Sequence, residues 1–450
     1  MQELAPYQTE IAHAVLDSVL HERGLTITVE MARGAGAREI AAQLEVLLLG
    51  LHVNESVRLL HVGPAHRHPD ADRLARHLRA GAASGLTWVY GNRVRLGRAE
   101  VCFLTPEEAA AAHGPFGLLQ VTNAEALDPT TLAHLELLAA ASGATTVLYG
   151  TAWNGETAFE ARKQANRRSE SAGLPRRHFR VPWQQAADEL PGYGGRVSDA
   201  RDRLGEASPE FQARYALVPT PATGPLVPEA QQRALDGDHA RRHAPTPGVP
   251  ARASIVVTRL PQRASVGKAG LGWDAPAHGA TAVVTIAEDA PGALRVIEHR
   301  WLEAPDAQAL AQGIAEVVGE TWGCTHVIAD APGASPAAAS QLRHLLARAL
   351  GRPQVAWTTS AEHEASAQAL GLMAAAHTGR VRLYRADGSP EYRILRHEIE
   401  SASAAFAAGG HVSVELPSAD EGFLRGLLLL ADPPGHTAAV AAEPEAALAS

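Results

Sequence analysis

The chain has 450 residues, of which 46% are apolar and 20% are charged, and its formal net charge is −9. This composition excludes a wholly disordered chain, a collagen-like fibre and a small disulfide scaffold, and the length suits two or three domains. No apolar run reaches the roughly 18 to 20 residues that cross a bilayer, and the N-terminus lacks the pattern of a secretory signal. We therefore expect a cytoplasmic protein without a membrane partner, in which any DNA contact comes from local basic patches.

The first half of the chain alternates helical and strand patterns. In chain order, the pattern predicts a helix over 7–23, a strand over 26–31, a helix over 38–49, and strands over 57–62, 118–121 and 145–149. This alternation predicts a largely parallel sheet covered by helices.

A Pro-rich, polar stretch over 220–252 predicts a linker between two domains. Behind it, strand-like runs with helical segments among them predict a mixed α/β sheet; these runs cover 254–258, 281–287, 293–302 and 326–329. The predicted organisation is a first domain over 1–219, the linker, a second domain over 253–435 and a flexible tail over 436–450.

The segment TITVEMARGAGAREIAAQLEVLL places a strand, a Gly/Ala-rich turn and an amphipathic helix in sequence. In this context, backbone N–H groups and a helix N-terminus can hold a phosphate. A working phosphate loop also needs a lysine after its last glycine and then a Ser or Thr for magnesium. Ala37 and Arg38 stand at those places, so this segment alone favours a plain strand-to-helix turn of small residues over a phosphate site.

The order of the surrounding segments resembles the large terminase subunit of tailed bacteriophages, the motor that packages viral DNA. APYQTEIAHAVLDSVL is similar to the adenine-reading element of that family, and ARGAGARE is similar to its arginine-led phosphate loop. VLYGTAWNGETAFEARKQANRR resembles its coupling motif, at Gly150 and Thr151. The resemblance implies nucleotide binding by Tyr7, Gln8, Arg33, Gly36, Ala37 and Arg38.

The resemblance covers nearly all of residues 3–433 and implies two domains. The first is a P-loop-type α/β ATPase domain with a mainly parallel sheet, for which the family implies ATP and Mg²⁺. The second is a ribonuclease-H-like mixed α/β nuclease domain, for which it implies Mg²⁺ or Mn²⁺. The implied partners are double-stranded DNA, the small terminase subunit and the capsid portal.

The departures from the family fall on the chemistry of the motor. Thr122 and Asn123 stand where the family has adjacent acids that hold magnesium and polarise water. Glu125 and Asp128 lie nearby, and Glu125 is the candidate substitute for the catalytic acid. Two residues of displacement move a carboxylate by about 6 Å at 3.3 Å per residue, which is enough to disrupt water activation.

The nuclease centre also lacks acidic residues. Two-metal hydrolysis needs carboxylates that converge on the two metal ions. The first strand of the second domain ends in Thr258 and Arg259 where an aspartate is expected. Asp330, Asp420 and Glu421 are retained and are the candidate ligands for one weakly held Mg²⁺ or Mn²⁺. The alternative interpretation of Asp330 and Asp420 is helix capping.

Basic residues cluster at Arg162, Lys163, Arg167 and Arg168, and again in HARRH over 239–243. They are candidate contacts to DNA phosphate, and the alternative is a solvated helix face. Tyr193 is interpreted as a packing residue.

Three hypotheses follow. The first is a phage or prophage homologue impaired in both centres that binds DNA or an active partner. The second is a working packaging ATPase and endonuclease in which Arg38, Glu125 and the retained acids act as substitutes. The third is a structural interaction module that binds neither nucleotide nor DNA.

Overall fold

The structure is a computed structural model that describes residues 3–64, 69–80, 84–112, 114–260, 279–351, 355–357, 362–407, 410–416 and 422–431. These residues form two compact units. The first holds the described residues up to Ala222 together with 406–407 and 410, and the second holds the others. In these ranges no helix has both the length and the apolar character needed to cross a bilayer.

The first unit is built on an eight-stranded sheet. Its strands are β1 (Thr26–Met31), β2 (Arg58–Val62), β3 (Thr87–Tyr90), β4 (Arg93–Leu96), β5 (Ala99–Leu104), β6 (Leu118–Val121), β7 (Thr145–Gly150) and β8 (His178–Val181). Their order is β3-β4-β5-β2-β6-β7-β1-β8. The two pairs that involve β4 are antiparallel, and all others are parallel.

Helices of the first unit follow most of these strands, as the alternating sequence pattern predicts. They are α1 (Pro6–Leu20), α2 (Ala37–Leu51), α3 (Pro69–Ala80), α4 (Pro106–Ala110), α5 (Pro129–Ser142), α6 (Ala158–Ser171), α7 (Trp183–Glu189), α8 (Tyr193–Leu204) and α9 (Pro209–Phe211). β1 and β6 have the predicted bounds, whereas the antiparallel β3, β4 and β5 were not predicted. Apolar residues of β2, β6 and β7 pack with α5 and α6 in one core cluster.

The second unit contains a six-stranded sheet in the order β14-β13-β10-β11-β12-β15, and a three-stranded sheet in the order β17-β16-β9. The strands are β9 (Thr223–Pro225), β10 (Ala251–Arg259), β11 (Ala280–Ala290), β12 (Ala293–Ala304), β13 (His326–Asp330), β14 (Val355–Trp357), β15 (Val381–Arg382), β16 (Ser403–Phe406) and β17 (Val412–Glu415). In the larger sheet, β11 pairs antiparallel with β10 and β12, and β13 pairs parallel with β10. The fold class, α/β with a parallel-rich sheet and then a mixed sheet, is confirmed.

The helices of the second unit are α10 (Glu229–Leu235), α11 (Ala307–Ala315), α12 (Pro336–Leu350), α13 (Glu362–Thr378), α14 (Pro390–Ser401) and α15 (Phe423–Ala431). Buried residues of β10, β11, α11 and α12 form one core cluster. The Pro-rich segment 220–252, predicted as a linker, is folded in part: it contains β9 and α10, and Leu226, Val227 and Leu235 are fully buried. Short apolar pairs between prolines gave no periodic signal for this packing.

Candidate functional site

The candidate phosphate loop connects β1 to α2 at the carboxyl edge of the parallel strands, where α/β sheets bind ligands. Gly36 is the N-cap of α2 with φ +96°, and Gly34 has φ +75°. Both angles lie in the left-handed region, which glycine adopts at little cost. No side chain caps α2 at Gly36, so the backbone has the form of an anion-binding helix start.

Three side chains cover this loop and hold its backbone. The Tyr7 hydroxyl donates to the Ala35 carbonyl at 2.7 Å, and Gln8 Nε2 donates to the same oxygen at 3.3 Å. The Tyr193 hydroxyl donates to the Arg33 carbonyl at 2.8 Å. A Cβ added at Gly36 would lie 2.1 Å from Gln8 Nε2. The structure therefore brings the predicted nucleotide-binding residues Tyr7 and Gln8 onto the loop itself.

The first turn of α2 carries charged side chains of both signs, Arg38 and Glu39. Arg38 Nε lies 3.7 Å from Asp70 Oδ1. Glu39 contacts His77 at 3.1 Å and Arg73 at 3.2 Å. Burial by itself raises the pKa of Glu39, but hydrogen bonds from His77 and Gln43 and the nearby positive charges outweigh it and lower the pKa to about 2. A carboxylate thus stays ionised beside the helix start.

These residues do not fit Mg²⁺-bound ATP. The loop backbone suits an anion, but Ala37 supplies no amine for the phosphates and Arg38 supplies no hydroxyl for magnesium. The charge of the ionised Glu39 is balanced by its contacts with His77 and Arg73. The lysine amine and the magnesium-binding hydroxyl are missing from this loop, while its positive side chains are Arg33 and Arg38.

Glu125 and the coupling motif are brought together next to the loop. Glu125 Oε1 accepts a hydrogen bond from Thr151 Oγ1 at 3.0 Å. A Cβ at Gly150 would lie 2.7 Å from Glu125 Oε2 and 2.8 Å from the Phe159 ring, so only glycine fits there. Burial raises the pKa of Glu125, and the Thr151 hydrogen bond and the charge of Arg214 only partly offset it. Among the described residues, none donates a hydrogen bond to the buried Oε2.

The other residues near the missing motor acids have structural contacts. Thr122 Oγ1 donates to the Val62 carbonyl at 3.2 Å, and Asn123 has φ +56°. Asp128 caps α5 by accepting from the Thr131 backbone N–H at 2.9 Å. Asp128 is thus a helix cap, and Glu125 is the carboxylate that contacts the coupling motif.

The acidic centre of the second unit lies where β13 ends. Asp330 is the last residue of β13, is 3% exposed and pairs in register with Val256 of β10. Its Oδ2 accepts a hydrogen bond from Arg425 Nε, on α15. Asp420 and Glu421, the other predicted ligands, lie outside the described residues.

Threonine hydroxyls and a glycine lie at the ends of β10 and β11, the antiparallel strands next to β13 in the sheet. Thr258 and Thr281 share a hydrogen bond at 2.8 Å between their hydroxyl oxygens. A Cβ at Gly279 would lie 2.4 Å from the Ala304 carbonyl oxygen, which leaves no room for a larger side chain there. In the part of the chain that the structure describes, no three His, Cys, Asp or Glu side chains converge as metal ligands. Of the predicted ligands, the structure describes Asp330 alone, and Arg425 is paired with it.

The predicted DNA contacts of the first unit separate into buried and exposed groups. Lys163 has a side chain only 2% exposed and is paired with Glu30 and Glu160, which contradicts its prediction as a phosphate contact. Arg162 pairs with Glu136. Arg167 and Arg168 are exposed and stay predicted contacts, although Arg167 also hydrogen-bonds to His178 at 3.0 Å.

The HARRH segment is engaged within the second unit. Arg241 is 12% exposed and lies 3.3 Å from Glu391. Arg242 pairs with Glu288 at 2.6 Å, and His243 with Glu298 at 2.5 Å. Three of its basic residues therefore stabilise the fold through internal ion pairs.

Two arginines at the candidate sites were not predicted from the sequence. Arg214 accepts the Arg33 backbone N–H at its carbonyl, at 2.8 Å, and its side chain acts on the charge of Glu125. Arg425 forms an ion pair with Asp330 of the second unit. The available signal for Arg425 was an arginine inside the closing acidic segment ELPSADEGFLRGLLLLAD; no comparable signal marked Arg214.

Comparisons with known proteins locate this arrangement among known folds. No family model matches the chain, and no curated protein matches it. It is similar to the large terminase from a thermophilic bacteriophage, with TM-score 0.63, 11% identity, and coverage of 96% of this chain and 99% of that one. The same terminase in complex with ADP matches with TM-score 0.62, 12% identity, and coverage of 96% and 99%. The chain therefore has a large-terminase fold over nearly its full length.

Proposed function

We propose that this chain is a terminase large-subunit-like protein of phage or prophage origin that is impaired in both catalytic centres and acts by binding DNA or an active partner. The observation that carries the proposal is the ion pair between Asp330 and Arg425. A guanidinium on the retained acid neutralises the charge that a catalytic metal requires.

The motor centre supports the same proposal through a different set of residues. Hydrolysis of ATP depends on positive charge at the β and γ phosphates and on an acid that orients water. Here the loop carries Ala37 in place of lysine and the ionised Glu39 beside the helix start. Gln8 is packed against Gly36 and donates to the Ala35 carbonyl of the loop.

The proposed partners are double-stranded DNA, a small terminase subunit and a capsid portal. Their support is the terminase fold over 96% of the chain and the exposed Arg167 and Arg168. The proposed role requires a binding surface for these partners but no catalytic turnover. This agrees with a chain that keeps its sheets and cores while its charged centres are altered.

A second candidate function is an active motor that uses Glu125, and one observation favours it. Glu125 is held by Thr151, while its Oε2 is buried without a hydrogen-bond donor among the described residues. Such an oxygen is available to a water molecule. Burial raises the pKa of Glu125, which makes this carboxylate a better proton acceptor than an exposed one.

ATP hydrolysis with Mg²⁺, with and without double-stranded DNA, separates these candidates. The impaired protein shows no turnover and binds DNA with an affinity that falls as salt rises. The active motor shows turnover that Glu125→Ala abolishes and that the exposed control Glu206→Ala leaves intact. The Ala37→Lys variant tests whether the missing lysine alone limits nucleotide binding, measured with a fluorescent ATP analogue.

Plasmid cleavage in Mn²⁺ tests the second centre. We expect no cleavage by the wild-type chain, because Arg425 neutralises Asp330. Metal-dependent cleavage that Asp330→Asn removes would contradict the proposed impairment. Absence of both DNA and nucleotide binding would favour a structural interaction module instead.

A further inference from the structure

The hairpin of β3 and β4 exposes aromatic side chains at the end of the eight-stranded sheet. Trp88 is 72% exposed and Tyr90 is 86% exposed. They alternate along β3 and therefore lie on one face of the hairpin. The register places Arg95 opposite Trp88 and Arg93 opposite Tyr90, and both arginines are exposed. We call these four residues the aromatic–arginine face.

The other face of the hairpin anchors it to the unit. Val94 and Leu96 are buried, and they alternate with Arg93 and Arg95 along β4. Val94 and Leu96 therefore make the buried contacts of the hairpin, and the rings of Trp88 and Tyr90 do not contribute to them. Since exposed apolar groups that are clustered mark interaction sites, the exposure of Trp88 and Tyr90 calls for a ligand.

The charge of this face is positive. In the described part of the chain, no acidic side chain forms an ion pair with Arg93 or Arg95. Glu100 of β5 lies opposite Arg95 in register, but its carboxylate pairs with Arg58 at 3.0 Å. The guanidinium groups of the face are thus available to an anionic ligand, although the whole chain carries −9.

We propose that the aromatic–arginine face binds single-stranded nucleic acid. Bases stack on exposed aromatic rings while arginines contact the phosphates, which is how sequence-tolerant single-strand sites work. Trp88 and Tyr90 are two residues apart, about 6.6 Å along the strand, so neighbouring unstacked bases of an extended strand can each meet one ring. The arginines beside them lie within reach of the connecting backbone.

Two other occupants fit this face less well. A duplex keeps its bases stacked inside and presents phosphates, so it makes no use of two exposed rings. A second copy of the chain, paired through the open edge of β3, would place β3 beside β3 and leave Arg93 and Arg95, on β4 one strand further in, without an anionic partner. The proposal depends on neither catalytic centre and goes beyond the proposed function.

Fluorescence anisotropy of fluorescein-labelled dT20 with the full-length protein tests the proposal. We expect binding that weakens as salt rises from 50 to 200 mM. Trp88→Ala combined with Tyr90→Ala is expected to weaken binding at least tenfold, since stacking contributes to each base contact. Arg93→Gln combined with Arg95→Gln is expected to lower the slope of log affinity against log salt concentration by about 1 to 2.

Two exposed residues serve as controls. Leu137→Ala is the apolar control and Arg348→Gln is the arginine control; both should leave binding unchanged.

Four outcomes would overturn the proposal. The first is no binding of dT20, and the second is equal binding by the aromatic double variant with unchanged circular dichroism. The third is that the aromatic double variant loses as much affinity for a 20-base-pair duplex as for dT20, or that polyglutamate competes with labelled dT20 as strongly as unlabelled dT20 does. Either result indicates attraction of charge alone. The fourth is a wild-type dimer in sedimentation that the aromatic variant dissociates, which would assign the face to self-association.

Discussion

In the candidate phosphate loop of the first unit, Ala37 stands in place of a lysine, and in the acidic centre of the second unit, Thr258 and Arg259 stand in place of an aspartate. The two candidate sites differ in what they retain. The loop keeps its backbone: Gly34 and Gly36 hold the left-handed angles of an anion-binding turn. The acidic centre keeps a carboxylate, Asp330, and pairs it with Arg425.

This difference follows from how each ligand is bound. A helix start attracts an anion through backbone N–H groups, so substitutions of side chains leave part of the site intact. A divalent cation has no such backbone alternative here, because its ligands are carboxylates. A single arginine therefore changes the second centre more than the loss of a lysine changes the first.

The largest expected effect comes from Arg425→Ala. The substitution leaves Asp330, 3% exposed, as a buried carboxylate without its cation, and we expect a loss of about 3–5 kcal/mol in the free energy of unfolding. Urea denaturation measures it, with Arg348→Ala as an exposed control. If the ion pair is the cause, Arg425→Gln combined with Asp330→Asn recovers much of the loss; a loss below about 1 kcal/mol in the single variant would show that the pair is unimportant.

Two glycine substitutions compare the rigidity of the two centres. A Cβ at Gly422 would lie 2.8 Å from Thr258 Cγ2 and 3.1 Å from Val256 Cγ1. These β-branched strand residues cannot turn away, so we expect Gly422→Ala to cost about 2–4 kcal/mol. Gly36→Ala meets the end of the flexible Gln8 side chain and is expected to cost about 1–2 kcal/mol, mainly from its positive φ.

Thermal and urea unfolding of both glycine variants give the comparison. Gly195→Ala is the control. Gly195 lies inside α8, and a Cβ there meets no atom within 4 Å. Equal losses in the two variants would mean that the loop is as rigid as the core of the second unit.

Two buried histidines give the units opposite responses to pH. Burial by itself lowers the pKa of both histidines. For His61, the negative charges of Glu45 and Asp70 outweigh burial and raise the pKa to about 9; Glu45 lies 2.7 Å from His61 Nδ1. For His299, the charge of Arg241 adds to burial and lowers the pKa to about 3. The ordinary value for both is 6.5.

The sign of each effect follows from proton uptake. Folded His61 stays protonated where the unfolded residue is neutral, so its contribution to stability is lost as pH rises from 6.5 to about 9. Unfolded His299 takes up a proton where the folded residue does not, so stability is lost as pH falls below 6.5. We expect on the order of 1–3 kcal/mol in each direction.

Urea denaturation at pH 5, 6.5 and 9 tests both responses. Glu45→Gln combined with His61→Gln should flatten the alkaline decline, and His299→Gln should reduce the acidic one. Wild-type stability that is constant from pH 6.5 to 9 would contradict the assigned protonation of His61.

The smallest expected effect is that of Tyr7→Phe. It removes the hydroxyl that donates to the Ala35 carbonyl at 2.7 Å, while Gln8 still reaches that oxygen. We expect a loss of about 1 kcal/mol in the free energy of unfolding. Tyr90→Phe, at a residue 86% exposed, is the matched control and should show no measurable change.

Much of the candidate nucleotide site could be predicted from the sequence because its parts are local. The loop and the start of α2 are one continuous segment, and Glu125 lies directly after β6. The partners of these residues could not be predicted, because Tyr193 and Arg214 reach the loop only when distant segments fold onto it. Lys163 was misassigned for the same reason: its pairing with Glu30 depends on where α6 packs against β1.

By itself the sequence determined the α/β class, the predicted strands β1 and β6, and the absence of the phosphate-loop lysine, because these depend on periodicity and on residue identity at neighbouring positions. Only the tertiary structure decided which charges are neutralised. Burial and pairing are properties of the space between elements: they place Arg425 on Asp330 and leave Trp88 and Tyr90 in solvent. Residue type decides which charge a side chain can carry, but the fold decides whether it carries that charge and whether a ligand can reach it.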